Sequence, residues 1–464
     1  MRKSFILLWF ATGTLAVTAV ATWWIYGQLG RTPGELMDYA DVRMDGHPKV
    51  QKLTRPFETA LRTWFDAPSA EERSRQPFVV PPPPLRRGPT DIRAPEPVPA
   101  GATVWHVGPQ SSLSRIANAA ALAKSGDVIE IEAGDYHGDV VVWTQKKLTI
   151  RGVNGAARIF ADGRNVEGKA IWVMRNGDFD ISNVDFIGAK VDDGNGAGIR
   201  FEGGNLHVRD CLFWGNQMGL LTIDKEVDAK ATLVIEGSEF AYSHVDGRWG
   251  HNLYVGTLDH LTVSHSYFHH AAVGHLLKSR ARINDILYNR LTDESGGRAS
   301  YEIDLPNGGI ARLIGNIIQQ QRNTEHSAIV AFGAEGYKWP LNQLLMGNNT
   351  LVNDHPHGGS FFRVTPGVDK VVLANNLLVG PGRFHVEGAA QMHNNQRVDW
   401  ESLVMPARYD YRLRKPPAEL KWSRLEDEEL NAQLLPSSQY VHPRTLTSLL
   451  ARPVWIGADQ AAVP

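Results

Sequence analysis

From Leu148 to Leu378 apolar and polar residues alternate in short runs, and the runs recur along the chain. They read LTIRGVNG (148–155), FDISNVDF (179–186), LHVRDCLF (206–213), LVIEGSEF (233–240), LTVSHSYF (261–268), ARINDILY (281–288), ARLIGNII (311–318), LLMGNNTL (344–351) and VVLANNLL (371–378). Matching apolar positions fall at Ile150, Ile181, Val208, Ile235, Val263, Ile283, Leu313, Met346 and Leu373, in steps of 31, 27, 27, 28, 20, 30, 33 and 27 residues. Alternation within each run is the strand period, and the three-and-four spacing of a helix is missing. A repeat of this length marks a solenoid. The pattern therefore predicts an all-β chain: a parallel β-solenoid of about nine or ten coils, each resting on its neighbours.

A second short run precedes each phrase: Ile171-Trp172-Val173, Ile199-Arg200-Phe201, Leu221-Thr222-Ile223, Leu253-Tyr254-Val255, Leu277-Lys278-Ser279, Ile303-Asp304-Leu305 and Ile329-Val330-Ala331. With the outer members facing the core, the middle ones form an exterior ladder: Trp172, Arg200, Thr222, Tyr254, Lys278, Asp304. Tyr254, Lys278 and Asp304 are then successive rungs.

The ends read differently. Ser111–Lys124 has Leu113, Ile116, Ala120 and Ala123 on one helical face, just before GDVIEIEAGDY (126–136). A helix there would cover the first coil, whose open end otherwise exposes apolar side chains. Arg2 and Lys3 precede an uncharged stretch, Phe5–Tyr26, long enough to span a bilayer. Trp23, Trp24 and Tyr26 at its end favour an uncleaved anchor over a signal peptide ending at Ala19-Val20-Ala21. The charge asymmetry places the N-terminus in the cytoplasm and the rest in the periplasm of a bacterium, a single-pass inner-membrane protein. The expected organisation is an anchor (1–30), a juxtamembrane helix and proline-rich spacer (31–100), the solenoid (101–395) and a tail covering the last coils (396–464). The helix is expected over Val50–Phe65, the extended spacer over Pro77–Pro99.

Composition narrows the chemistry. The 44 glycines of 464 residues suit short strands and tight turns. A net charge of −2 without a long basic run argues against nucleic acid as a partner. The single cysteine, Cys211, cannot form an intrachain disulfide and is expected as a small apolar filler. Seven of 17 histidines crowd residues 244–275: His244, His251, His260, His265, His269, His270 and His275. His265, His269 and His270 fall where turns are expected. Lys278, Arg280, Arg282, Arg298, Tyr301, Glu302 and Asp304 follow within the next coil. Folding of a solenoid requires none of these, so they are the candidate site.

The capping helix, GDVIEIEAGDY and coils with Asn or Asp at their turns resemble the right-handed parallel β-helix of the pectin-lyase-like superfamily over residues 103–395. The fold hosts lyases, hydrolases, epimerases and structural proteins, so the resemblance implies a fold and not one activity. LLKSRARINDILYNRL (276–291) is similar to the segment in which chondroitinase B-like and alginate lyases place their basic residue. That likeness would make Arg280 the base; their acidic metal-binding pattern is replaced here by His275. The polygalacturonase-like aspartates before Gly-His are missing ahead of Gly250-His251 and Gly274-His275, and Asp192-Asp193 lies two coils away.

The residues themselves suit attack beside a uronate carboxylate. A cation, Arg280 or Arg282, would stabilise the charge left when the C5 proton departs. Lys278, with a pKa depressed by the arginines, or His251 or His275 would be the base. Tyr254 or Tyr301 would protonate the leaving oxygen. Glu302 and Asp304 would orient the cations or hold a calcium ion in their place; no other cofactor or metal is expected. Three readings follow: a membrane-anchored lyase or C5-epimerase on an acidic polysaccharide; a non-catalytic carbohydrate-binding or exopolysaccharide-secretion scaffold with Trp172, Trp214, Trp249 and Tyr254 as stacking platforms; and a glycoside hydrolase. The short step between Val263 and Ile283 suggests a dip in the wall at the site.

Overall fold

The computed structural model describes residues 37, 48–65, 78–223, 230–245, 249–324, 326, 328–355, 358–386 and 390–461. The anchor expected over Phe5–Tyr26 lies outside them. Among the described residues no helix is long and apolar enough to cross a membrane. The chain divides into two units, Met1–Val79 and Val80–Pro464. In the first, the expected helix spans Pro48–Phe65.

The second unit is a parallel β-helix of the right-handed type with about ten turns. Alternating residues form strands because each coil hydrogen-bonds to the coils on both sides and buries every second side chain between them. Three sheets result. Sheet A carries the repeat phrases, with Ile150, Ile181, Val208, Ile235 and Val263 in one row. Sheet B follows after a tight turn, at 184–187, 212–214, 239–241, 267–269 and 290–292 in the middle coils. Sheet C holds the upstream runs, including Leu253–Val255, Leu277–Ser279 and Ile303–Leu305. Phe186, Phe213, Phe240 and Phe268 stack through the interior with ring centroids 5.1, 4.3 and 4.8 Å apart.

The A-to-B turn fixes the stacking. One residue at each turn is left-handed: Asn183, Asp210, Gly237, His265, Tyr288, Gly315, Asn348, Asn375. His265 is therefore a turn residue, as expected. From Asp210 onward, the residues directly after the left-handed ones form a buried polar ladder. Ser238 Oγ accepts from the Cys211 amide (3.2 Å), Ser266 Oγ from that of Ser238 (3.1 Å), and Asn289 Oδ1 from that of Ser266 (2.9 Å). Asn316, Asn349, Asn376 and Asn395 continue the row, each Oδ1 accepting from the amide of the preceding member at 2.9–3.1 Å. Their side-chain amides donate to the backbone carbonyls of the previous coil, as Asn316 does to Ile286 (2.8 Å). Cys211 is more than filler. It occupies the ladder row, its thiol donates to the Arg209 carbonyl (3.3 Å), and burial pushes its pKa up to about 12.

Several expectations need correction. The capping helix is shorter than Ser111–Lys124: it spans Ile116–Leu122, and Asp139 from the next coil receives the amides of Ile116 (2.6 Å) and Ala117 (3.1 Å). The proline-rich stretch is extended but not free. Val80 packs on Ile187, Leu212, Trp214 and Ala241; Arg87 pairs with Asp185 (2.5 Å); Glu96 pairs with Arg209 (2.5 Å). It is a strap across the outer faces of sheets B and A. The tail lies along the side of the later coils. Leu403, Tyr411, Leu413, Leu430 and Ile456 pack on Leu345, Val352, Val372 and Leu377. Finally, Val263 stands beside Ile286, not Ile283, a step of 23 residues, because Ile283 pairs with His260 at the strand entry.

Replacing Asn316 with Ala strips the buried amide of Asn289 and the carbonyl of Ile286 of their partners. The expected loss is about 3 kcal/mol, read as a fall in thermal midpoint. An unchanged midpoint would show that the ladder does not hold the coils.

Candidate functional site

Sheet C places one outward row through nine coils. Strand register gives its order as Val142, Val173, Arg200, Leu221, Tyr254, Lys278, Asp304, Ala331, Arg363. Tyr254, Lys278 and Asp304 are successive rungs, as the sequence predicts. Trp172 and Thr222 leave the row: Trp172 is a fully buried core residue, and Thr222 pairs one position along, with Phe201.

The rungs are wired to one another. Lys278 Nζ lies 3.1 Å from Asp304 Oδ2 and 2.9 Å from Glu335 Oε1. Arg280 Nη2 lies 2.6 Å from Glu335 Oε2, and its Nη1 donates to the Tyr254 hydroxyl at 2.9 Å. Both cations also face the Tyr254 ring, at 5.7 and 5.3 Å from its centroid. Along the edge of sheet C, the rings of His251, His275, Tyr301 and His326 stack with centroids 4.9, 5.2 and 4.8 Å apart. Burial of the Tyr301 phenol, with Asp304 nearby, raises its pKa; Arg363 reaches back to it from the far side of Ala331.

Hydrogen bonds fix the state of the two central histidines. His251 Nδ1 accepts the His275 amide at 2.9 Å, and His275 Nδ1 accepts the Tyr301 amide at 3.2 Å. Each neutral ring therefore carries its proton on Nε2. Burial holds both below the ordinary imidazole range, against the pull of Asp304 on His275, whose Nε2 is 3.3 Å from Asp304 Oδ2. Neither ring has a free lone pair, so neither is a base in this arrangement.

Lys278 also departs from expectation. Burial opposes its charge, but Asp304 and Glu335 outweigh burial and hold its pKa above the ordinary value. The arginine beside it does not depress it enough to free the amine. Asp304 and Glu335 are the mirror case: burial opposes their charge, and His275 and Lys278, or Lys278 and Arg280, keep them ionised.

Two expected site residues stand apart. Arg282 Nε is held by Asp259 (2.7 Å) on the turn into sheet A. Glu302 points into the solenoid, fully buried, with only Gln320 Nε2 near its Oε2 (3.4 Å). Burial, then the nearby Asp293, pushes its pKa well above the carboxylate range. Glu302 and Asp304 lie on opposite sides of the wall and cannot share a calcium ion. Among the described residues no three His, Cys, Asp or Glu side chains converge as a metal site.

Glu335 and Arg363 were not foreseen. Glu335 sits on the 333–342 loop, which folds back so that Trp339 Nε1 donates to the Arg280 carbonyl at 3.2 Å. The signal was present: the longest step, 33 residues from Leu313 to Met346, contains this loop. An insertion, more than a shortened coil, shapes the site.

Three parallel sheets, an inward asparagine ladder and a short capping helix make the chain a parallel β-helix of the right-handed type. Comparison with solved structures finds only distant likenesses. Pectate lyase Pel9A is 13% identical, with 78% of this chain and 97% of that chain covered and a TM-score of 0.48. The ORF18 protein of Geobacillus virus E2 is 12% identical over 59% of this chain and 53% of that one, with a TM-score of 0.39. A pectin methylesterase from Aspergillus niger is 14% identical over 66% and 88%, with a TM-score of 0.30. No family model and no curated protein matches the chain.

Buried Glu302 and Asp293 make stability pH-dependent. The Asp293 carboxyl is pushed up to about 7 by burial, against the amides of Ala299 and Ala271 that it accepts. Both folded values exceed the unfolded ones, so the stability these groups contribute is full in acid and is lost as pH rises through the folded values. Glu302→Gln should therefore raise the thermal midpoint more at pH 8 than at pH 5. Equal shifts at the two pH values would contradict a protonated Glu302.

Proposed function

We propose that the protein is a lyase or C5-epimerase acting on a uronate-containing polysaccharide, anchored in the inner membrane by Phe5–Tyr26 with its β-helix in the periplasm. One observation carries the reading of the site. A carboxylate, Glu335, is gripped by two cations at once, Lys278 and Arg280, and the phenol of Tyr254 accepts from the same guanidinium. A uronate carboxylate entering in place of Glu335 meets the same grip. Glu335 is 44% exposed on its loop, so it can give way.

The chemistry follows from which groups are free. Lys278 is protonated, and His251 and His275 are donors. Tyr254, after releasing its phenol proton to solvent, is then the group of the row suited to take the C5 proton, since the negative charge on its oxygen is met by Arg280. The electron pair left at C5 spreads into the carboxylate, where Lys278 and Arg280 stabilise it. In β-elimination that pair forms the C4–C5 double bond, the C4–O bond breaks, and the departing oxygen takes a proton from Tyr254. In epimerisation Tyr254 keeps the first proton, solvent water delivers another to the opposite face of C5, and Tyr254 then returns its proton to solvent.

Glycoside hydrolysis fits less well. It needs a protonated carboxyl as general acid. Asp304 and Glu335, each within hydrogen-bond reach of Lys278, are both held ionised. A pure stacking scaffold loses two of its platforms, because Trp172 and Trp214 are buried.

The test uses the full chain with polygalacturonate, alginate and other uronate polymers, following the ultraviolet absorbance of unsaturated ends and C5 inversion by NMR. Tyr254→Phe should lower turnover by about 10²–10⁴-fold, and Arg280→Met by about 10²-fold, with the fold intact by circular dichroism. Glu335→Gln should lower KM by removing the internal competitor. Product from neither route, or full turnover in Tyr254→Phe, would sink the proposal.

A further inference from the structure

Every cation close to Tyr254 already has a carboxylate. Lys278 has Asp304 and Glu335, Arg280 has Glu335, and Arg282 has Asp259. Arg175 and Lys169, further along sheet C, share Glu167 and Glu202. Arg200 differs. It stands on the outward row between Val173 and Leu221, two rungs from Tyr254. Its Nε is buried with no hydrogen-bond partner, and it forms no ion pair among the described residues. Nearby Glu202 is already taken by Lys169 and Arg175. Val173, Met218 and Leu221 pack around it as an apolar patch that extends to Tyr254.

Burial pulls the Arg200 pKa down, although Glu202 and Asp193 favour its charge without forming an ion pair with it. Keeping a guanidinium half-buried among apolar side chains without a paired carboxylate is costly. Such a group gains more from an incoming anion than a solvated arginine does, because screening is weak there. Its spacing matters as well. Strands of a sheet are about 4.8 Å apart, so Arg200 lies roughly 9.6 Å along the row from Tyr254. An extended pyranose chain advances by a similar distance per sugar as the solenoid does per coil. Hence a polymer lying along the row presents one sugar to each rung.

We infer that Arg200 is a specificity residue that binds the carboxylate of a second uronate, three sugars from the one held by Lys278 and Arg280, because Lys278 stands three rungs from Arg200. The apolar side chains of Val173 and Leu221 would meet the ring faces of that stretch. The preferred substrate is then a run of consecutive acidic sugars, and a polymer with isolated uronates reaches only the central grip. This rests on the proposed orientation of the polymer along sheet C, but not on the reaction that follows.

Binding distinguishes the two. Oligogalacturonates and oligomers of alginate, two to six sugars long, are titrated calorimetrically into the full chain and into Arg200→Gln and Arg200→Lys. In the wild type, affinity should rise by roughly tenfold or more at the length that first reaches Arg200, the scale of one charge-assisted contact. Arg200→Gln should lose that step while binding the shortest oligomers as the wild type does, and Arg200→Lys should keep part of it. Methyl esterification of the oligomers should abolish the step. A wild type without a length step, an Arg200→Gln protein that keeps it, or equal weakening at every length would each overturn the assignment. A length step without any turnover would leave Arg200 in place and remove only the lyase or epimerase reading.

Discussion

Everything in this molecule depends on coils that stack in register. Each strand gives its backbone hydrogen bonds to the coils above and below, so a one-residue slip would turn a whole row of side chains inside out. The ladder from Cys211 through Ser238, Ser266 and the asparagines prevents that slip, because each polar group bridges a turn to the amide of the coil before. Buried polar groups that are fully satisfied specify one arrangement, and half-satisfied ones would be worse than an apolar core. The left-handed residue beside each ladder position lets the chain turn sharply enough to put the next strand on sheet B. Once the turns are locked, residues some 25 positions apart become neighbours at strand spacing, and chemistry can be assembled one rung at a time.

That locking explains why the site's electrostatics take the form they do. Tyr254, Lys278 and Asp304 cannot move apart, so Lys278 is bound to be paired with Asp304. The backbone amides of His275 and Tyr301 are held at the edge of sheet C, so they occupy the Nδ1 positions of the histidines. A lysine and two histidines that look like bases in isolation become a cation and two donors. In the proposed reaction Tyr254, whose oxygen is addressed by Arg280, is the group that exchanges a proton. Burial works against the charge of both Lys278 and Asp304; Asp304 with Glu335 holds the lysine's pKa up, and His275 with Lys278 holds the aspartate's down.

The sequence carried the fold and one row of the site because both are periodic. Alternation revealed the strands, and the repeat placed Tyr254, Lys278 and Asp304 on adjacent rungs. It failed where periodicity breaks. Ile283 was aligned three residues early because an apolar residue also stands at the strand entry. Trp172 and Thr222 were put outside because a three-residue run does not reveal its own phase. Glu302 looked outward beside Ile303, but the chain turns there and sends it into the core. Glu335 was invisible, since it reaches Lys278 by a loop fold-back over 57 residues, and no local pattern encodes such a contact. The proline-rich stretch was legible as extended chain, yet its docking depends on Arg87 and Glu96 finding Asp185 and Arg209, partners about a hundred residues away.

The strap and the tail also bear on why the candidate site is on sheet C. A solenoid has three outer faces, and an exposed apolar face invites association with other chains. Here the strap covers the outer faces of sheets B and A in the early coils, through Val80 on Trp214 and Glu96 on Arg209. The tail covers the same two faces in the later coils, through Tyr411 and Leu430 on Val352 and Val372. Among the described residues, neither segment joins the hydrophobic or ion-pair contacts of the outward row from Tyr254 to Arg363. A face left uncovered in a protein that invests two long segments in covering the others must remain soluble by itself, and ionisable side chains serve that end. Solubility alone, however, would be met by scattered, solvated charges. The row instead carries charges that are largely buried, mutually paired and crossed by a loop carboxylate, with Arg200 unpaired at one end. Lys278 and Asp304 offset each other's burial, Arg200 has no such partner among the described residues, and this uncovered face is the one along which the proposed polymer lies.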